Sequence, residues 1–245
     1  MAIVRKFTIG VAPFAKMFRM PGLAGAAIDA VLRLRSKSLA DDYFKEVGAN
    51  VERSAYRVSN AEQSNLLQLT EDSIVFTKDY YESESSFDFK KVLDEFRTIW
   101  AAVNSVLAVQ DIRRIGIVAE YRFNVDSKSS SGWLREKFTT LNTNLHTEKF
   151  QLRFEEREFA TDGLAPDPKK ADFINYIYNF YDSALDTQHS ADGYCDVDLD
   201  VQRYFAPVLN GNVGDEVLKL HKHFEAAQRR LDEQLKALGA SHAKK

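Results

Sequence analysis

Cysteine is almost missing from this chain: Cys195 is the single one in 245 residues. One thiol excludes an intrachain disulfide and suits a reducing compartment, so the expected location is cytoplasmic. Long hydrophobic runs are missing too. The opening stretch, residues 1–38, is basic and apolar, but its charges break every apolar run well short of the roughly 18–20 residues that a membrane span needs, and no signal-peptide core stands out. An amphipathic membrane-surface helix over 22–35, flanked by Arg33, Arg35 and Lys37, is one reading of that stretch; a core helix is the simpler one. Nor is there an excess of charge of either sign. The 33 basic and 36 acidic side chains nearly cancel, so no global field draws the chain to DNA, RNA or an anionic membrane, and nucleic acid is not an expected partner. GxSxG, GxxxxGK[ST] and GxGxxG are absent, which removes the common acyl-transfer, nucleotide and dinucleotide signatures. The five histidines are His146, His189, His221, His223 and His242. His221 and His223 stand two apart on a helical pattern and point different ways, so no zinc site, and no other cofactor, is expected.

What is present is periodicity. Phe89, Val92, Phe96, Trp100, Val103 and Leu107 recur at steps of three and four, one apolar helical stripe. Ser86 is the expected N-cap, with Asp88 in the first turn. Beyond Gln110 the period becomes two: Ile115, Ile117, Ala119, Tyr121 and Phe123 share one strand face, and Arg114, Glu120 and Arg122 the other. Upstream, the pattern predicts a strand over 7–14, helices over 25–34 and 39–47, and strands over 53–59, 65–69 and 73–81, with 70–73 a hairpin turn. Residues 82–85 read as a polar loop. Downstream it predicts a seam at 125–132, a helix over 133–145, strands over 150–159, 174–181 and 194–201, and a surface connection at 160–170. A turn at 210–212 then leads into a long helix carrying Val217, Leu220, Phe224, Ala227, Leu231 and Leu238.

Several of these segments, in fixed order, resemble a known set of proteins. FTIGVAPF at 7–14, LLQLTEDSIVF at 66–76, the pair Tyr80 and Tyr81, FKKVLDEFRTIW at 89–100, RRIGIVAEYRFN at 113–124, CDVDLD at 195–200 and LHKHFEAAQRRL at 220–231 are similar to a family of uncharacterised bacterial proteins of like length, sporadically distributed across genomes. The resemblance implies sheet-plus-helix lobes and brings no assigned activity, cofactor or catalytic residue. Patchy distribution associates such families with mobile or phage-defence genes.

Asp196, Asp198 and Asp200 share one face of a strand whose other face carries Cys195, Val197, Leu199 and Val201. Side chains two apart on a strand lie about 7 Å from each other, near enough for neighbours to share magnesium or calcium. A metal-dependent phosphodiester hydrolase can be built that way. The simpler reading is a solvated strand face paired across to Arg153 or Arg157, since no glycine-rich cation loop, ExK or histidine accompanies the aspartates. Cys195, on the apolar face, reads as a buried, inert thiol. Arg113, Arg114, Arg122, Arg153 and Arg157 with Tyr56, Tyr80 and Tyr81 would suit single-stranded nucleic acid, but Glu120, Glu155, Glu156 and Glu158 interleave with them as on an ordinary solvated sheet. The last helix offers Phe224, Leu231, Leu235 and Leu238 as interface candidates; the same stripe would equally cover the chain's own sheet.

The expected fold is therefore α+β, with two mainly antiparallel β-sheets, each packed by a long α-helix, as a duplicated lobe: an N-terminal lobe over 1–127 and a C-terminal lobe over 128–245. The expected function is a non-enzymatic bacterial interaction protein, a self-associating adaptor or sensor with a protein partner or a homo-oligomer. Its rival is the hydrolase using Asp196, Asp198 and Asp200.

Overall fold

Thirteen residues alternating in burial from Ile112 to Asn124 give the chain its central strand, and the rest is arranged about it. The structure, a computed structural model, describes residues 3–35, 37–50, 52, 54–80, 87–141, 144–159, 171–182, 193–209 and 211–242. Arg53, Tyr81, Ser86, His189 and Asn210, the polar loop expected at 82–85 and the connection expected at 160–170 lie outside the described residues. The order is β1 (Ile3–Pro13), α1 (Met20–Leu32), β2 (Glu46–Asn50), β3 (Ala55–Ser59), β4 (Asn65–Leu69), β5 (Ile74–Asp79), α2 (Phe89–Leu107), β6 (Ile112–Asn124), α3 (Ser130–Phe138), β7 (Gln151–Phe159), β8 (Phe173–Asp182), β9 (Tyr194–Tyr204), α4 (Val213–Ala237) and β10 (Ser241–His242).

The two sheets that the sequence pattern predicts are one. Among the described residues nine strands run β2-β3-β4-β5-β1-β6-β9-β8-β7, and β10 pairs with β6 off that row. β6 joins what would have been separate sheets: it pairs with β1 on one side and, from Arg114 opposite Tyr204 to Asn124 opposite Tyr194, with β9 on the other. Alternation reports which face of a strand is buried and is silent about its edges, so it cannot show that a strand from the first half takes a partner from the second.

The helices are not shared out one to a sheet either; the four among the described residues lie on a single face. α2 brings Phe96 to Phe76 of β5 at 6.4 Å between ring centroids, and α4 brings Phe224 to Phe7 of β1 at 6.1 Å. α3 places Trp133 on Phe123 of β6 and Phe138 on Phe180 of β8, while α1 packs beside α2 toward β3. Each fully buried ring contributes about 1.5–3 kcal/mol through the apolar area removed from water. α2 begins at Asp88, whose carboxylate accepts from the Lys91 backbone N–H at 3.2 Å. α4 begins at Asn212, which accepts from Gly214 and Asp215. No helix of the described residues is long and apolar enough to cross a membrane.

The helix predicted over 39–47 does not form. The stripe expected there is not buried as one face: Leu39 and Tyr43 are covered, but Val47 is 58% exposed. The chain turns there and enters β2, which pairs with β3. α3 runs from a Ser129 cap to Phe138, earlier and shorter than its pattern suggests.

Candidate functional site

Because the helices occupy one face, the alternate residues of every strand point to the other. Across its middle stand Lys6 and Thr8 of β1, Glu120 and Arg122 of β6, Asp196, Asp198 and Asp200 of β9, and Asn175, Asn179 and Tyr181 of β8. Among the described residues no helix packs on this face. The side chains nevertheless shield one another closely: Asp196 is 2% exposed and Asn175 4%.

The three aspartates have separate partners. Asp196 accepts a two-pronged bond from Arg122, Nε to Oδ1 and Nη2 to Oδ2, both at 2.8 Å. Removing Arg122 would strand a buried carboxylate, a change that costs about 3–5 kcal/mol in comparable pairs. Asp198 accepts from Asn179 Nδ2 at 3.0 Å and from the Tyr181 hydroxyl at 3.1 Å. Asp200 accepts from Gln202 at the end of a run of donors: Arg114 Nη1 donates to the Tyr204 hydroxyl at 3.3 Å, which donates to Gln202 Oε1 at 2.8 Å, and Gln202 Nε2 donates to Asp200 Oδ2. The cross-strand partner of the acidic face is thus Arg122 on β6, not Arg153 or Arg157, because β8 stands between β9 and β7. Arg153 instead donates to Glu155 at 2.7 Å on its own strand.

Crowding of carboxylates on a half-dry face shifts their protonation. Burial, then the neighbouring Asp196 and Asp198, push Glu120 up to about 7, against the pull of Lys6 and Arg5. Burial likewise pushes Asp200 up to about 6, although Gln202, Arg114 and Arg153 favour its ionised form. Asp198 is raised by burial as well. Such a face can exchange protons near neutrality and can offer donors and acceptors in fixed positions. Among the described residues no three histidine, cysteine, aspartate or glutamate side chains are grouped to hold a metal ion.

The predicted interface stripe lies inward. Phe224, Leu231 and Leu235 are buried and Leu238 packs against the same core, so they cover the chain's own sheet. His221 rests on the Phe89 ring, while His223 Nδ1 lies 3.1 Å from the Tyr176 hydroxyl. Cys195 is buried, and burial raises its thiol far above the usual range. Tyr56 and Tyr80 pack toward the helices, so they do not join Arg114, Arg122, Arg153 and Arg157 on the open face.

Sequence reasoning missed a polar group under the helices. Lys78 Nζ donates to Glu95 Oε2 at 2.8 Å, and the same oxygen accepts from the Tyr43 hydroxyl at 2.7 Å. The signal was available: Lys78 stands two residues after buried Phe76 and therefore on the covered face. Asn179 and Tyr181 were missed because only the strand register shows them beside Asp198 and Asp196.

Comparison with known proteins gives no family: no protein-family model matches the chain, and no curated protein does.

Proposed function

We propose that this chain is a non-enzymatic interaction protein, a self-associating adaptor or sensor of the cytoplasm, and that it associates through the outer edge of β7 rather than through α4. The observation that carries the reading is the edge itself. β7 ends the sheet, nothing among the described residues pairs with its outer side, and Phe154 on it is 39% exposed. A nine-residue edge is a ready template for another strand. Registers differ sharply for self-pairing about a two-fold axis. Centred on Glu155, Arg153 meets Arg157 and Glu155 meets its own copy; centred on Glu156, two Glu156 side chains meet. Centred on Phe154, the rings face each other, Arg153 meets Glu155 twice and Gln151 meets Arg157. Interleaved charges that guard a lone edge become complementary at that one register. The hydrogen bonds already held by Asp196, Asp198 and Asp200 favour this reading over a hydrolase. The lone buried Cys195 agrees with a reducing compartment.

Light scattering over a range of concentrations tests it. The wild type should be a dimer, Arg153→Glu a monomer, and the exchange Arg153→Glu with Glu155→Arg a dimer again. A wild type that stays monomeric, or a dimer indifferent to Arg153→Glu, would remove the proposal.

A further inference from the structure

On the same face, from the start of β6 across β9 and β8 to β7, three guanidinium groups surround a cavity of about 320 Å³: those of Arg114, Arg153 and Arg157, with Phe173, Asn175, Gln202 and Tyr204 among the other residues of its wall. Aromatic rings help to hold two of the three. Phe173 and Tyr204 stack at 4.6 Å and 7°. The Arg157 guanidinium lies over Phe173 at 5.5 Å and that of Arg114 over Tyr204 at 5.8 Å. A guanidinium laid on a ring keeps most of its edge N–H groups for an oxyanion, although Arg114 spends Nη1 on the Tyr204 hydroxyl. Among the described residues Glu155 is the single carboxylate in the lining, bonded to Arg153 at 2.7 Å and 3.8 Å from Arg157. The lining therefore carries an excess of two positive charges, offset in part by Asp200 beside it, whose ionised form Arg114 and Arg153 favour.

A second observation narrows the anion. Asn175 is 4% exposed. Its Nδ2 donates to Glu155 Oε2 at 3.2 Å, which sets the orientation of the amide and makes Oδ1 the remaining acceptor. That oxygen is buried and, among the described residues, has no hydrogen-bond partner. A buried acceptor without a donor costs about 1–3 kcal/mol, so a ligand that brings an O–H to it is favoured over one that does not. Asp200 Oδ1, diagonal to it across β8 and β9, is a second buried acceptor without a partner.

We infer that this cavity binds a phosphate group, taken either as hydrogen phosphate or as the monoester of a small hydroxylated carrier. The negative charge answers the positive lining, the guanidinium edges take the phosphoryl oxygens, and the Asn175 carbonyl takes an O–H. In hydrogen phosphate that hydroxyl is the anion's own; in an ester it belongs to the carrier, for which the cavity leaves room. Sulfate has the same shape and charge but no proton to give, and a site built around a buried acceptor rejects it. The cavity lies within one chain, so the inference goes beyond edge pairing and does not rest on it.

Titration calorimetry at pH 7.5 with phosphate, glycerol 3-phosphate and sulfate tests this, on the wild type, Arg114→Gln, Arg157→Gln and Asn175→Leu, each checked for folding by circular dichroism. Phosphate or the ester should bind at least about tenfold more tightly than sulfate. Whichever of the two is tighter identifies the free ion or the carried group. Arg114→Gln and Arg157→Gln should each weaken binding about tenfold or more, and Asn175→Leu should bring phosphate and sulfate to near-equal affinity. The inference fails if the folded wild type gives no binding of phosphate or ester up to ~10 mM, a Kd too weak to count as a site. It fails equally if sulfate binds as well as phosphate, or if both arginine variants bind as the wild type does. Light scattering on the same samples reads association separately, and Arg114→Gln, which lies on β6 away from the β7 edge, keeps the two outcomes apart.

Discussion

Glu120 shows how the open face balances its charges. Its carboxyl stands at about 7 rather than 4.5, raised by burial first and by Asp196 and Asp198 next, with Lys6 and Arg5 opposing. The folded value lies above the unfolded one, so the folded chain holds this proton more tightly. The stability linked to it is fully present below about pH 4.5 and is lost as the pH rises through about 7. Asp200 contributes in the same sense between 3.8 and about 6. Glu120→Gln keeps the shape of the protonated acid and never ionises. The variant should therefore melt close to the wild type at pH 5 and clearly above it at pH 8. Thermal unfolding of the pair at both pH values is the check, and parallel curves with no gain at pH 8 would mean that Glu120 is ordinarily ionised in the folded chain.

Among the elements, α4 and β7 exchange the roles that their sequences suggest. α4 carries the regular stripe, and the regularity serves the chain's own sheet: Leu231 is 3% exposed, and Phe224 packs on Phe7 and Phe89. Leu231→Ala should cost about 2–5 kcal/mol in urea unfolding and leave the molar mass unchanged; loss of an oligomer without loss of stability would return the interface to α4. β7 alternates only briefly, Leu152 and Phe154 against Gln151, Arg153, Glu155 and Arg157, and so reads from sequence as an ordinary half-exposed strand. The difference is physical. Periods of 3.6 and 2 report a buried face, which is why α2, α4, β6 and β9 were readable and why Cys195 and Leu199 were assigned inward. Edge positions leave no period. That β6 takes β9, that β7 ends the sheet and that Arg122 rather than Arg153 meets Asp196 all depend on strand order, which is decided by contacts between residues far apart in sequence. β2 escaped for a local reason: Leu39, Tyr43 and Val47 fit a helical spacing, but Phe44 is buried beside Tyr43, and Val47 is 58% exposed on the strand that forms instead.

Across the whole molecule, the long pairing of β6 with β9 makes the two halves of the chain share one sheet and one core. Residues 1–127 contain α2, and residues 128–245 contain α3 and α4, yet α4 packs on β6 as well as on β9. If β6 were unzipped from β9, a thirteen-residue strand would lose its partner along one whole side while α4 lost part of its seat. Such shared burial favours a single all-or-none transition. The chain carries its own probes, because its two tryptophans fall one in each half: Trp100 in α2 and Trp133 in α3, both 6% exposed. Trp100→Phe and Trp133→Phe each leave one reporter, and their urea unfolding curves, followed by fluorescence and corrected for the cost of each substitution against circular dichroism of the same sample, should coincide. Fluorescence that leads or trails circular dichroism in one variant and not in the other would mean that the β6–β9 ladder yields before the cores on either side of it, and that residues 1–127 and 128–245 unfold as separate units despite their common sheet.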